Sequence, residues 1–170
     1  GLTETTTVVF TSDHGDYLGD HWLGEKDLFH ECSVRVPLIV ADPSTPAAHG
    51  TSCGALVEAI DLAPTFIEMF GGIPKPNVLE GRSLLPLLRG ERPDWRACVF
   101  SEYDYSMMDA RAALGRKPAD CRLFMVFDGR WKYIHAPGFR PMLFDLATDP
   151  DEFHDLGASP AHAPECARLK

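Results

Sequence analysis

The sequence predicts an α/β protein in two parts: a layered α/β domain over residues 1–95, and a small antiparallel four-stranded subdomain with a C-terminal helix over residues 96–170. In the first part, strand-like runs alternate with segments of helical spacing, which is typical of a layered α/β domain. The composition changes at about Pro93, and four short strand-like segments with tight turns follow. Such a succession favours an antiparallel sheet.

Two strands are predicted in the first part. Residues 6–11 are rich in threonine and valine, and this β-rich run stops just before Asp13. Residues 36–41 form a short unbroken apolar run, which is typical of a strand covered on both faces, as in a parallel sheet. Residues 55–60 fit either a further strand or the start of a helix.

Two helices follow these strands. The first is expected to begin at Asp61 as its N-cap and to end at Gly71 and Gly72. Its apolar side chains recur at helical spacing and are expected to pack inward: Leu62, Phe66, Ile67 and Phe70. The second helix is short, with Ser83 as its cap and Gly90 as its end, and its leucines are expected to join the core.

The second part is predicted to hold four strands, at residues 97–103, 122–127, 131–135 and 142–146. Asp128-Gly129 joins the middle two, and this dipeptide is a strong hairpin signal. The segment from Ser159 to the end is expected to form a short helix.

Composition and charge narrow the classes of function. The net charge of −9 argues against a nucleic-acid partner, because no basic stripe is available to neutralise phosphates. No apolar run approaches the roughly 20 residues that cross a bilayer, so no membrane partner is expected. The five cysteines contain no C-x-x-C pair, and we expect reduced, mostly buried thiols and a cytoplasmic location. Because Gly1 stands almost directly before a strand, we expect the true N-terminus to be missing.

The candidate site lies where the first strand ends. In an open α/β sheet, ligands bind at the carboxyl ends of the strands. Asp13 and His14 there offer an oxygen and a nitrogen to a divalent metal, and Gly15 lets the backbone turn away. Lys26 follows after a glycine-rich loop and could hold an anionic substrate as a point charge. The alternatives are an ordinary turn and a solvated loop lysine.

Other polar residues offer less. Asp20, His21 and His30 match no standard zinc spacing. Ser12 lacks the G-x-S-x-G setting of an activated serine, and no cysteine stands in an activating context. From the residues alone, the chain therefore predicts half of a metal site and one anion-binding lysine, without a nucleophile.

Several motifs in the same order resemble a known family. The run T-S-D-H-G-D-Y-L-G-D-H-W-L-G-E-K-D-L-F-H-E-C-S-V-R-V-P-L-I-V (residues 11–40) resembles the second half of the sulfatase family, within the alkaline phosphatase superfamily. A-I-D-L-A-P-T-F-I-E-M-F-G-G, L-E-G-R-S-L-L-P-L-L-R-G, R-W-K-Y-I-H and M-L-F-D-L-A-T-D-P-D-E-F-H-D-L extend the resemblance over nearly all of the chain. G-D-H-W-L and S-E-Y-D-Y-S look most like the phosphonate monoester hydrolases.

The resemblance implies an alkaline-phosphatase-like layered domain, of which this chain is the C-terminal portion, and a small anionic ester as substrate. It implies that Asp13 and His14 are ligands of one divalent metal ion (Ca, Mn or Zn) and that Lys26 contacts the substrate's oxygens. The family's nucleophile is a formylglycine made from a cysteine in C-x-P-S-R or a close variant. This sequence lacks that motif, so the nucleophile is expected in the missing N-terminal part, and the fragment alone is expected to be inactive.

Three functions stay open at this point. The first is hydrolysis of phosphonate monoesters, phosphodiesters or sulfate esters. The second is a non-catalytic binding module of sulfatase shape. The third is a two-metal phosphodiesterase or phosphomutase of the same superfamily, although no additional histidines are placed for a second metal. The oligomeric state is also open, with a homo-oligomer as one alternative.

Overall fold

The computed structural model describes residues 1–170, which fall into two compact units. The first unit comprises Gly1–Asp13 and Val36–Ala97, and the second comprises His14–Arg35 and Cys98–Lys170. The sequence-based division after residue 95 places residues 14–35 with the first part, whereas in the structure they group with the second. The segment that contains His14 and Lys26 therefore belongs to the same unit as the antiparallel sheet.

The first unit contains a two-stranded sheet. Strand β1 (Val8–Thr11) pairs with β2 (Leu38–Ala41) in antiparallel register, with Val8 opposite Ala41. Both predicted strands are confirmed, but the parallel, doubly covered environment expected for β2 is wrong for this structure. Its residues alternate between half-buried and exposed, and Ile39 is 61% exposed. An unbroken apolar run suits either pairing, because apolarity alone does not fix strand direction.

Two helices complete the first unit: α2 (Leu62–Met69), preceded by a 3₁₀ turn (Ala59–Asp61), and α3 (Leu85–Leu88). The predicted end of α2 is confirmed, since the N–H of Gly72 donates to the carbonyl of Ile67. The predicted inward face is wrong, because Phe66, Ile67 and Phe70 are exposed. The buried positions are Pro64 and Thr65, and the Thr65 hydroxyl accepts a hydrogen bond from the N–H of Leu84.

Asp61 is at the start of α2, but its carboxylate does not cap the helix. It is fully buried and accepts two hydrogen bonds of 2.5 Å from the guanidinium of Arg96. The backbone N–H groups of Glu58 and Arg82 also donate to it. Burial would raise the pKa of Asp61, but these hydrogen bonds outweigh burial and lower it. A buried carboxylate needs such partners, so the arginine takes priority over the helix cap.

The second unit contains the predicted four-stranded antiparallel sheet. Its strands are β3 (Val99–Asp104), β4 (Arg122–Phe127), β5 (Trp131–His135) and β6 (Met142–Asp145), in the order β3-β4-β5-β6. The hairpin between β4 and β5 is confirmed: Gly129 has φ +93, and the carboxylate of Asp128 accepts hydrogen bonds from the N–H groups of Arg130 and Trp131. Glycine suits this left-handed position because it has no Cβ.

Both faces of this sheet are covered within the second unit. One face carries Met125, Ile134 and Phe144, which form a buried cluster with Phe29. The neighbouring strand residues Val126, Tyr133 and Leu143 point to the opposite face. There they pack with residues of the C-terminal helix α5 (Ala163–Leu169). The sheet therefore holds the segment of residues 14–35 through one face and α5 through the other.

The remaining elements are short. They are α1 (Glu31–Val34), α4 (Asp109–Ala113) and four further 3₁₀ turns at Asp20–Trp22, Pro46–Ala48, Pro118–Asp120 and Pro160–His162. The helix predicted at the C-terminus is thus confirmed. All five cysteines are free thiols, as expected, but only Cys121 is buried. The structure contains no helix with the length and apolar character that a membrane span requires.

Candidate functional site

The loop that leads from Tyr17 to Lys26 has an unusual backbone. Four of its non-glycine residues have positive φ values between 47 and 59°: Leu18, His21, Trp22 and Glu25. Such conformations cost free energy and persist only where the surroundings enforce them. Here the N–H of Tyr17 donates to the carbonyl of Glu25 at 2.8 Å, which closes the loop. The closure brings Lys26 back toward the residues that precede Tyr17.

His14 and Lys26 are in direct contact as a result. Nζ of Lys26 lies 2.8 Å from Nε2 of His14, and Nδ1 of His14 lies 2.7 Å from the carbonyl oxygen of Gly15. Because a carbonyl only accepts, Nδ1 carries the proton and donates it to Gly15. Nε2 therefore presents its lone pair, which accepts a hydrogen bond from the ammonium. This neutral tautomer is also the one that coordinates a metal through Nε2.

A buried serine holds the backbone on both sides of this contact. The N–H of Gly15 donates to the carbonyl of Ser33 at 2.7 Å, and the Ser33 hydroxyl donates to the carbonyl of Lys26 at 2.7 Å. The chain at Gly15 runs so close to α1 that a Cβ there would lie 1.9 Å from the carbonyl oxygen of Cys32. Only glycine fits at this position without movement of the backbone.

Helix α1 is anchored to the sheet by buried charges. Nζ of Lys132, on β5, is fully buried and lies 2.7 Å from Oε1 of Glu31 and 2.8 Å from Oε1 of Glu152. The N–H of Glu31 also donates to Oε2 of Glu152 at 2.6 Å. Burial raises the pKa of Glu152, and the Lys132 ammonium beside it opposes that rise only in part. The three side chains fix the start of α1 to the middle of the sheet.

An aromatic cluster supports the loop from inside. The buried hydroxyl of Tyr17 lies 2.7 Å from Nδ1 of His30, and His21 stacks on His30 with ring centroids 4.0 Å apart. Burial, then His21 and Lys132, lowers the pKa of His30 to about 4. Burial also raises the pKa of Tyr17, so a phenol donates to a neutral imidazole. His21 and His30 are thus engaged in ring contacts.

Asp13 ends the first of the two segments of the first unit and follows β1 by two positions. The hydroxyl of Ser12 donates to its Oδ1 at 3.4 Å. Asp13 and His14 offer an oxygen and a nitrogen that suit a divalent cation. No group of three or more His, Cys, Asp or Glu side chains that could hold a metal occurs in residues 1–170.

Sequence reasoning singled out His14 and Lys26, which the structure brings together, and missed the residues that hold them. Ser33 stands in the unremarkable run E-C-S-V and offered no signal. Lys132 did offer one, because it interrupts the apolar strand sequence W-K-Y-I-H and a lysine in a buried strand needs a carboxylate partner. Tyr17 and His30 are 13 residues apart, and no local pattern predicts their hydrogen bond.

Known proteins and solved structures match nearly the whole of this chain. The chain is 36% identical over 167 residues to the multifunctional alkaline phosphatase superfamily protein PehA of Trinickia caryophylli, covering 96% of this chain and 32% of that protein. Arylsulfatase K of Gallus gallus is 35% identical over 168 residues, which is 91% of this chain and 28% of the relative. The crystal structure of the phosphonate monoester hydrolase of Agrobacterium radiobacter matches with a TM-score of 0.88 at 34% identity, over 97% of this chain and 33% of that one.

The fold and these relatives define the chain as an alkaline-phosphatase-like α/β protein with an antiparallel C-terminal sheet. The chain belongs to the sulfatase family: the family model described as N-sulphoglucosamine sulphohydrolase, C-terminal, matches residues 19–170. The chain spans about a third of the length of the relatives named above.

Proposed function

We propose that the full-length protein is a metal-dependent hydrolase of phosphonate monoesters, phosphodiesters or sulfate esters. The observation that supports this most is the 2.8 Å contact between Nζ of Lys26 and Nε2 of His14 in a chain of the sulfatase family. The contact places the ammonium of Lys26 beside Nε2 of His14, whose ring is in the tautomer that can coordinate a metal through that nitrogen. An enzyme that cleaves an anionic ester needs both functions at one place.

Each of the three residues has a distinct role in this proposal. Asp13 and His14 would hold one divalent metal ion (Ca, Mn or Zn) through a carboxylate oxygen and an imidazole nitrogen. When bound, the ion would screen the negative charge of the ester and lower the pKa of the nucleophile. Lys26 holds the phosphoryl or sulfuryl oxygens and offsets the charge that develops on them in the transition state.

The nucleophile lies outside these 170 residues. We propose that it is a formylglycine in the N-terminal part of the full-length protein, because the chain spans only about a third of its relatives and has no C-x-P-S-R motif. We therefore expect residues 1–170 alone to be inactive. Reading the sequence upstream of Gly1 for this motif and for an early aspartate tests this part of the proposal.

A phosphonate monoester is the substrate that we favour among the three ester classes. Support comes from the phosphonate monoester hydrolase that matches with a TM-score of 0.88. Sulfate esters are the alternative, supported by the similarity to arylsulfatase K. Comparison of kcat/KM for an aryl phosphonate monoester and an aryl sulfate decides between them.

The proposal as a whole is tested by substitution in the full-length enzyme. We expect Asp13→Ala and His14→Ala each to lower kcat/KM for an aryl phosphonate monoester by far more than tenfold, since each removes a metal ligand. A loss below about tenfold, roughly 1.4 kcal/mol of transition-state stabilisation, would contradict these roles. His154→Ala is the matched control, because that histidine side chain is 80% exposed and lies on the surface of the second unit.

A non-catalytic binding module of sulfatase shape is the second candidate. The observation that favours it is that residues 1–170 contain no C-x-P-S-R motif to supply the nucleophile. The intact mass of the native protein separates the candidates. A much larger mass supports the hydrolase, whereas a mass near 18.8 kDa supports the binding module.

A further inference from the structure

Ser33 is the residue that connects the His14 segment with the Lys26 segment. It is 2% exposed and lies in α1. Its backbone carbonyl accepts a hydrogen bond from the N–H of Gly15, and its hydroxyl donates to the carbonyl of Lys26, both at 2.7 Å. One residue therefore holds the chain directly after His14 and the chain at Lys26 with two separate groups.

The position of Ser33 is itself fixed. Two residues before it, Glu31 is tied to the buried Lys132, and directly after it Val34 packs against the hydrophobic cluster of the sheet. The backbone at Gly15 approaches α1 so closely that no side chain fits between them. Ser33 is thus a rigid reference point, whereas Lys26 is exposed and lies at the end of a strained loop.

We propose that Ser33 is a positioning residue that sets the placement of the Lys26 ammonium relative to the His14 imidazole. The inference rests on the proposed function, because it concerns the same site. Its hydroxyl fixes the peptide that follows Lys26, and its carbonyl fixes the peptide that follows His14. The two hydrogen bonds together set the distance across which a cation and an ester's oxygens must fit.

The two bonds of Ser33 respond differently to substitution. Ser33→Ala removes the hydroxyl but keeps the backbone carbonyl, so the bond to Gly15 remains while the bond to Lys26 is lost. The bond between Ser33 and the carbonyl of Lys26 is only partly buried, so water can replace the hydroxyl there and the loop can shift without unfolding of the protein. Ser33→Ala should therefore weaken the proposed contact of Lys26 with the ester's oxygens and leave the proposed metal binding by His14 intact.

A double-mutant cycle in the full-length enzyme tests this assignment, with Ser33→Ala, Lys26→Ala and the double variant. We expect Ser33→Ala to lower kcat/KM for an aryl phosphonate monoester by about fivefold, in the range of one hydrogen bond. In the Lys26→Ala background the same change should have no further effect, because the residue through which Ser33 acts is gone. Ser33→Cys keeps a weak donor of similar size, so its kcat/KM should lie between those of the wild type and Ser33→Ala.

Two measurements besides turnover complete the test. The affinity of the protein for inorganic phosphate, measured calorimetrically, should weaken about fivefold in Ser33→Ala, since one hydrogen bond positions the ammonium that binds the anion. The bound divalent metal per protein should stay unchanged. Ser44→Ala is the matched control, because its hydroxyl also makes a 2.7 Å hydrogen bond, to Asp42, but belongs to the other unit.

Some outcomes overturn only this inference, and one also overturns the role of Lys26. An unchanged Ser33→Ala enzyme, losses that add in the double variant, or a parallel loss of bound metal in Ser33→Ala and Ser33→Cys would each show that Ser33 does not act through Lys26. If Lys26→Ala itself leaves kcat/KM unchanged, the proposed function of Lys26 fails and the inference fails with it.

Discussion

Nζ of Lys26 donates a hydrogen bond to Nε2 of His14 across 2.8 Å, although the two residues are separated by a loop of strained backbone. The lone pair that accepts this bond is the one that a metal would use, because Nδ1 of His14 is occupied by the carbonyl of Gly15. His14 would thus hold the metal through Nε2, and Lys26 beside it would hold the oxygens of the ester.

The first prediction concerns Lys26 itself. Lys26→Ala should lower kcat/KM of the full-length enzyme by about 100-fold, because it removes a cation from a charge that develops in the transition state. Steady-state kinetics on an aryl phosphonate monoester measures the loss. Lys75→Ala, which removes an exposed loop lysine, serves as the control. Equal kinetics of the two variants would refute the role of Lys26.

The second prediction concerns the close approach at Gly15. A Cβ there would lie 1.9 Å from the carbonyl oxygen of Cys32, so α1 or the loop must move in Gly15→Ala. We expect a loss of about 2–3 kcal/mol in the free energy of unfolding, measured by urea denaturation. Gly24→Ala is the matched control, because a Cβ at Gly24 meets no atom within 4 Å, and its effect should be small. If both variants unfold alike, the close approach at Gly15 does not constrain the protein.

The third prediction concerns the buried charges under α1. Lys132→Met leaves Glu152 buried without its cation, which should cost about 3–5 kcal/mol of unfolding free energy. Arg35→Met removes a different partner of Glu31, at 3.5 Å and with its side chain 80% exposed, and should cost less than about 1 kcal/mol. Urea denaturation of both variants measures the difference. A Lys132→Met protein as stable as the wild type would show that this ion cluster does not hold α1.

Site residues that lie in local sequence patterns could be predicted from the sequence, whereas contacts between distant segments could not. Asp13, His14 and Lys26 were singled out because a strand end and a glycine-rich loop are local patterns. The contact between His14 and Lys26 also needs the backbone bond from Tyr17 to Glu25, which no pattern of side chains encodes. Ser33 could not be found because both of its bonds are with backbone groups of other segments.

The same distinction between short-range signals and long-range contacts applies to the fold. The four strands of the second sheet and the turn at Asp128-Gly129 followed from alternation and turn chemistry, which are short-range signals. The direction of β2 and the buried face of α2 did not follow, because apolar periodicity shows that a face is apolar and not what covers it. The carboxylate of Asp61 was misassigned for a similar reason, since its partner Arg96 lies 35 residues away.

The fourth prediction concerns the pH dependence of stability through His30. Its pKa is about 4 in the folded protein against 6.5 ordinarily, so the unfolded chain binds the proton more readily between these values. The free energy of unfolding should therefore rise with pH from about 4 to 6.5 and level off above, by about 3 kcal/mol in total. Urea denaturation across this range measures the rise.

His30→Asn provides the comparison for that experiment, because asparagine can accept the hydrogen bond from Tyr17 but does not titrate. The rise with pH should be much smaller in this variant. His154→Asn removes an exposed histidine, with its side chain 80% accessible, and should keep the full rise. A rise of the same size in His30→Asn would assign the pH dependence to other groups.

The proposed hydrolysis depends on one divalent metal ion held by Asp13 and His14, and elemental analysis of the purified full-length protein measures this metal. We expect one divalent ion per protein in the wild type and in the control His154→Ala, and a large loss of bound metal in Asp13→Ala and in His14→Ala. An unchanged metal content in Asp13→Ala and His14→Ala would show that these two residues do not bind the metal.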